Sequence, residues 1–121
     1  MDKIEEYVEG WKNKLTAKKE KTKEKFAGDS SVARRCAEIL YSDFKVKSVY
    51  LVGSLTRPGK YHLRSDIDLL VEGLPAEKYI KALSVCSRQL PPDQTIDLIR
   101  LEDLTEEERM HLLGQGVSIA A

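Results

Sequence analysis

The segment at residues 66–73, DIDLLVEG, constrains the fold of this chain more than any other. Its apolar run and the glycine that ends it are typical of a β-strand. Side chains alternate between the two faces of a strand, so Asp66 and Asp68 lie on one face, with Ile67 on the other. Two carboxylates this close repel each other, and Mg²⁺, which prefers carboxylate oxygens, would relieve the repulsion. In the structural alternative, Asp66 caps a turn and Asp68 faces solvent.

A third carboxylate, Asp97, lies within TIDLIRL, residues 95–101, which also has the composition of a strand. Its apolar neighbours predict that Asp97 is buried, where an unpaired carboxylate is strongly unfavourable. A Mg²⁺ ion shared with the two carboxylates of the preceding strand would compensate this charge. The alternative is a salt bridge to a nearby arginine, Arg88 or Arg100.

The run VKSVYLVGS, residues 46–54, predicts a strand that ends in Gly53 and Ser54. A glycine there lets the backbone approach a ligand closely, and the serine hydroxyl and the following N–H groups can hold phosphate oxygens. The loop that follows carries three basic residues that could neutralise a triphosphate, namely Arg57, Lys60 and Arg64. The alternative is an ordinary turn followed by a solvated basic loop.

Apolar periodicity and turn residues predict the remaining elements. A long Lys/Glu-rich helix over residues 2–27 ends at Gly28, and a second helix over 32–44 takes its N-cap from residues 29–31. Further helices cover about 75–90 and 104–113, and GVSIAA forms a short strand at a sheet edge. The order is α-α-β-β-α-β-α-β. Some strand connections are short, so this order predicts an α/β (α+β) fold with a mixed sheet of about four strands flanked by helices.

Bulk composition excludes several classes of protein. The chain has 121 residues, which predicts one domain, and 20 basic and 20 acidic residues balance, unlike the basic excess of a dedicated nucleic-acid binder. Cys36 and Cys86 lack metal-ligand spacing and fall on apolar helix faces, so we expect small core residues rather than a disulfide. No signal peptide or membrane span is visible, which predicts a cytoplasmic protein.

The combined sequence motif resembles that of the nucleotidyltransferases of the DNA polymerase β superfamily. It consists of LVGSLTRPGKYHLRSDIDLLVEG followed by TIDLI. It is most similar to the minimal nucleotidyltransferases of bacteria and archaea, over residues 32–120. Two departures stand out. The loop over residues 55–65 is one residue longer than in typical minimal members, and the Lys/Glu-rich N-terminal helix, residues 1–28, is an addition to the catalytic core.

The resemblance implies a role for each motif residue. Gly53 and Ser54 would hold the phosphates of an NTP. Asp66 and Asp68 would bind two Mg²⁺ ions, and Asp97 would bind the catalytic ion and help to activate the attacking hydroxyl. Positioning and charge neutralisation would then supply most of the catalysis.

The resemblance also implies a partner. Minimal nucleotidyltransferases occur as the antitoxins of HEPN/MNT toxin–antitoxin pairs, where they transfer AMP from ATP to a tyrosine of the HEPN ribonuclease. The short chain predicts that a separate protein supplies the acceptor, with Tyr7 and Trp11 of the first helix as candidate anchors. The alternatives are a non-catalytic antitoxin that acts by contact and a small-molecule, aminoglycoside-type nucleotidyltransferase, which normally carries an added helical domain.

Overall fold

The computed structural model of the chain describes residues 2–12, 20–57, 61 and 64–121. The helices are α1 (Lys3–Lys12), α2 (Glu20–Phe44), α3 (Tyr79–Ser87) and α4 (Glu106–Gln115). The strands are β1 (Ser48–Val52), β2 (Ile67–Glu72), β3 (Ile96–Arg100) and β4 (Val117–Ile119). Short 3₁₀ helices cover Gly53–Thr56, Ala76–Lys78 and Leu101–Asp103.

The four strands form one mixed sheet in the order β3-β2-β1-β4. β1 is antiparallel to both β2 and β4, whereas β2 and β3 are parallel. The parallel pair follows from the crossover through α3, since two parallel strands cannot be joined by a tight hairpin. The predicted mixed sheet is therefore confirmed, and β4 lies at an edge, as its short sequence predicted.

The sheet has one thickly covered face and one thinly covered face. Leu51, Leu69 and Leu98 are buried on the first face, in a core that also contains buried residues of α1, α2 and α3. The second face carries a smaller cluster around Val52 and Leu70, to which α4 adds the partly buried Leu112. Strand alternation places Asp68 on this second face.

The N-terminal helix is present, but its predicted boundaries are wrong. α1 ends at Lys12, the predicted stretch over residues 13–19 lies outside the described residues, and α2 continues through Gly28 to Phe44. Gly28 has no left-handed backbone conformation of the kind that ends helices. The predicted caps serve other purposes, because the carboxylate of Asp29 binds side chains of distant segments and the hydroxyl of Ser30 donates to the carbonyl of Phe26 at 2.7 Å.

The first helix packs on the chain itself. Ile4 is buried, and the hydroxyl of Tyr7 donates to the carbonyl of Leu55 at 2.9 Å. Burial raises the pKa of Tyr7 to about 12. Tyr7 thus has an internal contact, as the alternative of packing on the chain's own core predicts. Its role as an anchor for a partner stays a prediction. The side chain of Trp11, the other candidate anchor, lies outside the described residues.

The prediction for the two cysteines has a clear outcome. Cys36 and Cys86 are buried free thiols, and the Sγ of Cys36 donates to the carbonyl of Cys86 at 3.6 Å, which confirms them as core residues between α2 and α3. α4 begins with a reciprocal capping box between Thr105 and Glu108. Among the described helices, none combines the length and the apolar character needed to cross a bilayer.

Candidate active site

The end of β1 brings the backbone against a carboxylate of β2. Val52 is paired with Asp68, and the chain then turns through Gly53, whose φ of 79° lies in the left-handed region. A Cβ at Gly53 would overlap the carboxylate of Asp68. Glycine is therefore needed for its backbone conformation and for the space that it leaves to Asp68.

The 3₁₀ helix that begins at Gly53 contains Ser54, whose side chain is half-buried. The hydroxyl of Thr56 donates back to the carbonyl of Gly53 at 2.6 Å, and Leu55 is buried beneath the turn. These contacts stabilise the turn in which Gly53 lies against the carboxylate of Asp68. The prediction that both residues hold phosphates stays a prediction.

Three carboxylates occupy the same end of the sheet. Asp68 and Asp97 are paired in register across the parallel strands β2 and β3, so their side chains project from one face. Asp66 precedes β2 by one residue and is exposed. Burial, then the charge of Asp97, then that of Asp66 raise the pKa of Asp68 above its ordinary value. Asp97 and Asp66 are therefore close enough to Asp68 for their charges to act on it.

The expected burial of Asp97 is wrong. Asp97 is exposed, because β3, which among the described strands pairs with β2 alone, lies at the sheet edge, while the neighbouring Leu98 is buried. The desolvated carboxylate of the site is instead Asp68. The salt-bridge alternative is not realised either. Arg100 binds the carbonyl of Leu74 and the carboxylate of Asp103, and no ion pair involves Asp97 within the described part of the chain.

The chemistry of these carboxylates suits a divalent cation. Carboxylate oxygens are the ligands that Mg²⁺ prefers, and a cation would offset the burial and the neighbouring negative charges that together raise the pKa of Asp68. In their present orientations, no three His, Cys, Asp or Glu side chains among residues 2–12, 20–57, 61 and 64–121 are arranged to hold a metal ion. Asp66 accepts a hydrogen bond from the hydroxyl of Thr95 at 2.5 Å, so its carboxylate is already oriented towards β3.

The predicted basic loop is described only at its ends. The backbone N–H of Arg57 donates to the carbonyl of Ser54 at 2.9 Å, and the side chain of Arg57 is exposed. Arg64 is exposed just before the carboxylates, and Lys60 lies outside the described residues. Their roles in binding phosphate stay predictions.

A cleft of about 520 Å³ opens beside Asp97 on the free side of β3. Tyr79 and Ile80 line it from α3, and Ile80 is 74% exposed. The hydroxyl of Tyr79 donates to the carbonyl of Leu98 at 2.6 Å, while burial, then Asp97 and Asp103, raise the pKa of Tyr79. The cleft leaves room for a second molecule next to Asp97.

A family model agrees with this geometry. The model of the nucleotidyltransferase domain matches residues 33–113, which include both strands of the carboxylates and the Gly53–Ser54 turn. The chain belongs to the nucleotidyltransferase domain family. A search of curated proteins gives no significant match.

Solved structures share the fold of this nucleotidyltransferase domain at low identity. A toxin–antitoxin structure with AMP-PNP has a TM-score of 0.59 and 24% identity, with 73% of each chain covered. A mutant of the toxin–antitoxin pair MntA–HpeT has a TM-score of 0.58 and 20% identity, covering 73% of this chain and 72% of the other. A Sulfolobus solfataricus protein described as a nucleotidyltransferase has a TM-score of 0.52 and 23% identity, with coverage of 80% and 84%.

Sequence analysis missed several polar residues that surround the site of this nucleotidyltransferase domain. Thr95 contacts Asp66 directly, and Gln94 holds the backbone N–H of Thr95 through its side-chain oxygen at 2.8 Å. Three further residues hydrogen-bond to one another next to the segments that precede β2 and β3, namely Lys25, Asp29 and Tyr61. No sequence signal marks these residues, because their contacts join segments that are far apart in the chain.

Proposed function

We propose that this chain transfers a nucleoside monophosphate from an NTP to a hydroxyl group, with Mg²⁺ held by Asp66, Asp68 and Asp97. The observation that carries the proposal is the in-register pairing of Asp68 with Asp97 beside Gly53. Membership of the nucleotidyltransferase family supports it. The raised pKa of Asp68 adds a physical reason for a cation at this position.

Each residue has a proposed role in binding or proton transfer. Gly53 and Ser54 bind the phosphates of the NTP, and three basic residues of the following loop neutralise further phosphate charge, namely Arg57, Lys60 and Arg64. When bound, two Mg²⁺ ions supply the electrostatic stabilisation of the attacking and leaving oxygens.

Asp97 lies on the cleft through which a hydroxyl could enter, and it accepts the hydroxyl proton. The acceptor oxygen forms a bond to the α-phosphorus, the bond from that phosphorus to the bridging oxygen breaks, and pyrophosphate leaves. The exposure of Asp97 favours this role, since an acceptor must reach the residue from outside.

We further propose that the NTP is ATP and that the acceptor is a tyrosine of a HEPN-domain toxin, which makes the chain an antitoxin. Two structural neighbours are toxin–antitoxin structures, and one of them is with the adenine nucleotide analogue AMP-PNP. The open cleft beside Asp97 supports an acceptor that belongs to another protein.

The test is to incubate the chain with its HEPN partner and each of the four NTPs, with Mg²⁺ or with EDTA, and to weigh the intact partner. The proposal predicts a mass gain of one or more AMP groups with ATP and Mg²⁺ alone, at a tyrosine located by peptide sequencing. An unmodified partner that still loses its ribonuclease activity would favour the alternative of an antitoxin acting by contact. Modification of an aminoglycoside instead would favour the small-molecule alternative.

A further inference from the structure

Asp29 is an acidic residue buried in the middle of α2, with only 6% of its surface exposed. Its carboxylate accepts hydrogen bonds from Lys25 at 2.6 Å, from the hydroxyl of Tyr61 at 2.6 Å and from the side-chain amide of Gln94 at 2.9 Å. We call these four residues the Asp29 network. A buried carboxylate with this many donors is satisfied only in one arrangement of its neighbours.

The network reaches the segment that precedes β2. Besides Asp29, the Nζ of Lys25 donates to the carbonyl of Ser65 at 2.7 Å and to the hydroxyl of Tyr61 at 3.3 Å. All three donors of the ammonium group therefore have partners. Ser65 immediately precedes Asp66, so Lys25 fixes the backbone from which the first carboxylate projects.

The network also reaches the segment that precedes β3. Gln94 donates to Asp29 with its amide nitrogen, and its amide oxygen accepts from the backbone N–H of Thr95 at 2.8 Å. Thr95 in turn donates to the carboxylate of Asp66, and its carbonyl accepts from the backbone N–H of Ile67 at 3.2 Å. One connected path of hydrogen bonds thus joins α2 to the starts of both strands that carry the carboxylates.

We propose that the Asp29 network positions the carboxylates of Asp66 and Asp97 for the bound nucleotide and its metal, with Asp29 as the central positioning residue. This inference rests on the proposed function. The physical reason is that β3 is an edge strand, so the sheet supports its start from one side only. Residues that hydrogen-bond to metal ligands set the orientation of those ligands, and their loss typically lowers the affinity for the metal about 10–100-fold.

Aromatic packing strengthens the arrangement. The rings of Phe26 and Tyr61 meet edge to face with centroids 5.4 Å apart, and the Nζ of Lys25 lies 5.0 Å from the ring centre of Tyr61. Tyr61 is itself buried, and burial, then its hydrogen bond to Asp29, raise its pKa well above the usual range. A Tyr61→Phe change would keep these ring contacts and remove only the hydroxyl.

The test compares Tyr61→Phe with Tyr41→Phe. The hydroxyl of Tyr41 donates to the carbonyl of Ile119 at 2.7 Å and accepts from the N–H of Val49 at 3.0 Å, away from the carboxylates. Both variants lose one hydroxyl from the interior, so a purely structural effect lowers the Tm of both. Titration calorimetry measures the affinity for AMP-PNP in Mg²⁺, and amide hydrogen exchange of the ligand-free proteins measures protection at Ile67.

For Tyr61→Phe we expect about a tenfold weaker affinity for Mg²⁺–AMP-PNP and faster exchange at Ile67, with neither change in Tyr41→Phe. Asp29→Asn, which keeps the side-chain volume, should show both effects more strongly. If both Tyr61→Phe and Tyr41→Phe lower the Tm, but neither changes the affinity for Mg²⁺–AMP-PNP or the exchange at Ile67 relative to the wild type, the network is structural only. The inference is then overturned. If the wild type binds no Mg²⁺–AMP-PNP, the proposed function fails, whereas exchange at Ile67 still decides whether the network orders the two strands.

Discussion

The carboxylate of Asp68 occupies the space where a side chain at Gly53 would lie. Gly53 also has a φ of 79°, a conformation that residues with a Cβ adopt only with strain. Two independent reasons therefore require glycine at the point where β1 turns towards the proposed phosphate site. Backbone strain of this kind costs about 1–3 kcal/mol when another residue is forced into it.

Gly53→Ala should lower the free energy of unfolding by about 1–3 kcal/mol and displace Asp68. The matched control is Gly28→Ala, because a Cβ at Gly28 meets no atom within 4 Å and the residue lies inside α2. The control should raise stability by about 0.5–1 kcal/mol, the usual gain for alanine in a helix. Denaturant unfolding measures both values, and a destabilising Gly28→Ala would contradict the continuous helix.

The raised pKa of Asp68 predicts a pH-dependent stability in the absence of metal. The folded state binds the proton of Asp68 more tightly than the unfolded state, so stability falls as pH rises from the ordinary value of 3.8 through the raised pKa. Asp68→Asn lacks this loss, and its Tm in EDTA should exceed that of the wild type by a few degrees near pH 7 and by almost nothing near pH 3. Thermal unfolding across this range tests the idea, and parallel curves for the two proteins would refute it.

Asp97→Asn should abolish nucleotide transfer without unfolding the chain. Asp97 is exposed, so the change should alter stability by no more than about 0.5 kcal/mol. Mg²⁺ should raise the Tm of the wild type and that of the variant much less, because ligands stabilise only the state that binds them. Asp43→Asn, an exposed change at the far end of α2, is the control and should keep both properties. An equal Mg²⁺ effect on wild type and Asp97→Asn would count against Asp97 as a ligand.

The burial of Tyr7 predicts a loss of stability in alkali. The folded state holds the phenol of Tyr7 neutral, with its pKa raised to about 12, so its contribution is complete below the ordinary value of 10.0 and is lost as pH rises towards 12. Tyr7→Phe removes the hydrogen bond and should cost about 1 kcal/mol at neutral pH. It should also reduce the decline of Tm between pH 10 and 12. An unchanged alkaline decline would show that Tyr7 is not protected in solution.

The sequence alone determined the strands and the residues that they bring to one face. The run of four strands, some with short connections, indicated the mixed sheet, and alternation within DIDLLVEG set Asp68 on the opposite face from the buried Ile67. That Asp66 shares the face of Asp68 stays a prediction. These features depend on local periodicity, which the order of residues records directly.

The tertiary structure decided the burial of Asp97, the course of α2 and the surroundings of Asp29. An apolar run indicates a strand but not its place in the sheet, and at the edge of the sheet Asp97 is exposed. Gly28 and Asp29 have the local chemistry of a helix boundary, yet the helix continues, because Asp29 binds Tyr61 and Gln94 from distant parts of the chain. Contacts of that kind depend on which segments meet after folding, and local preferences worth about 1 kcal/mol per residue are overridden by them.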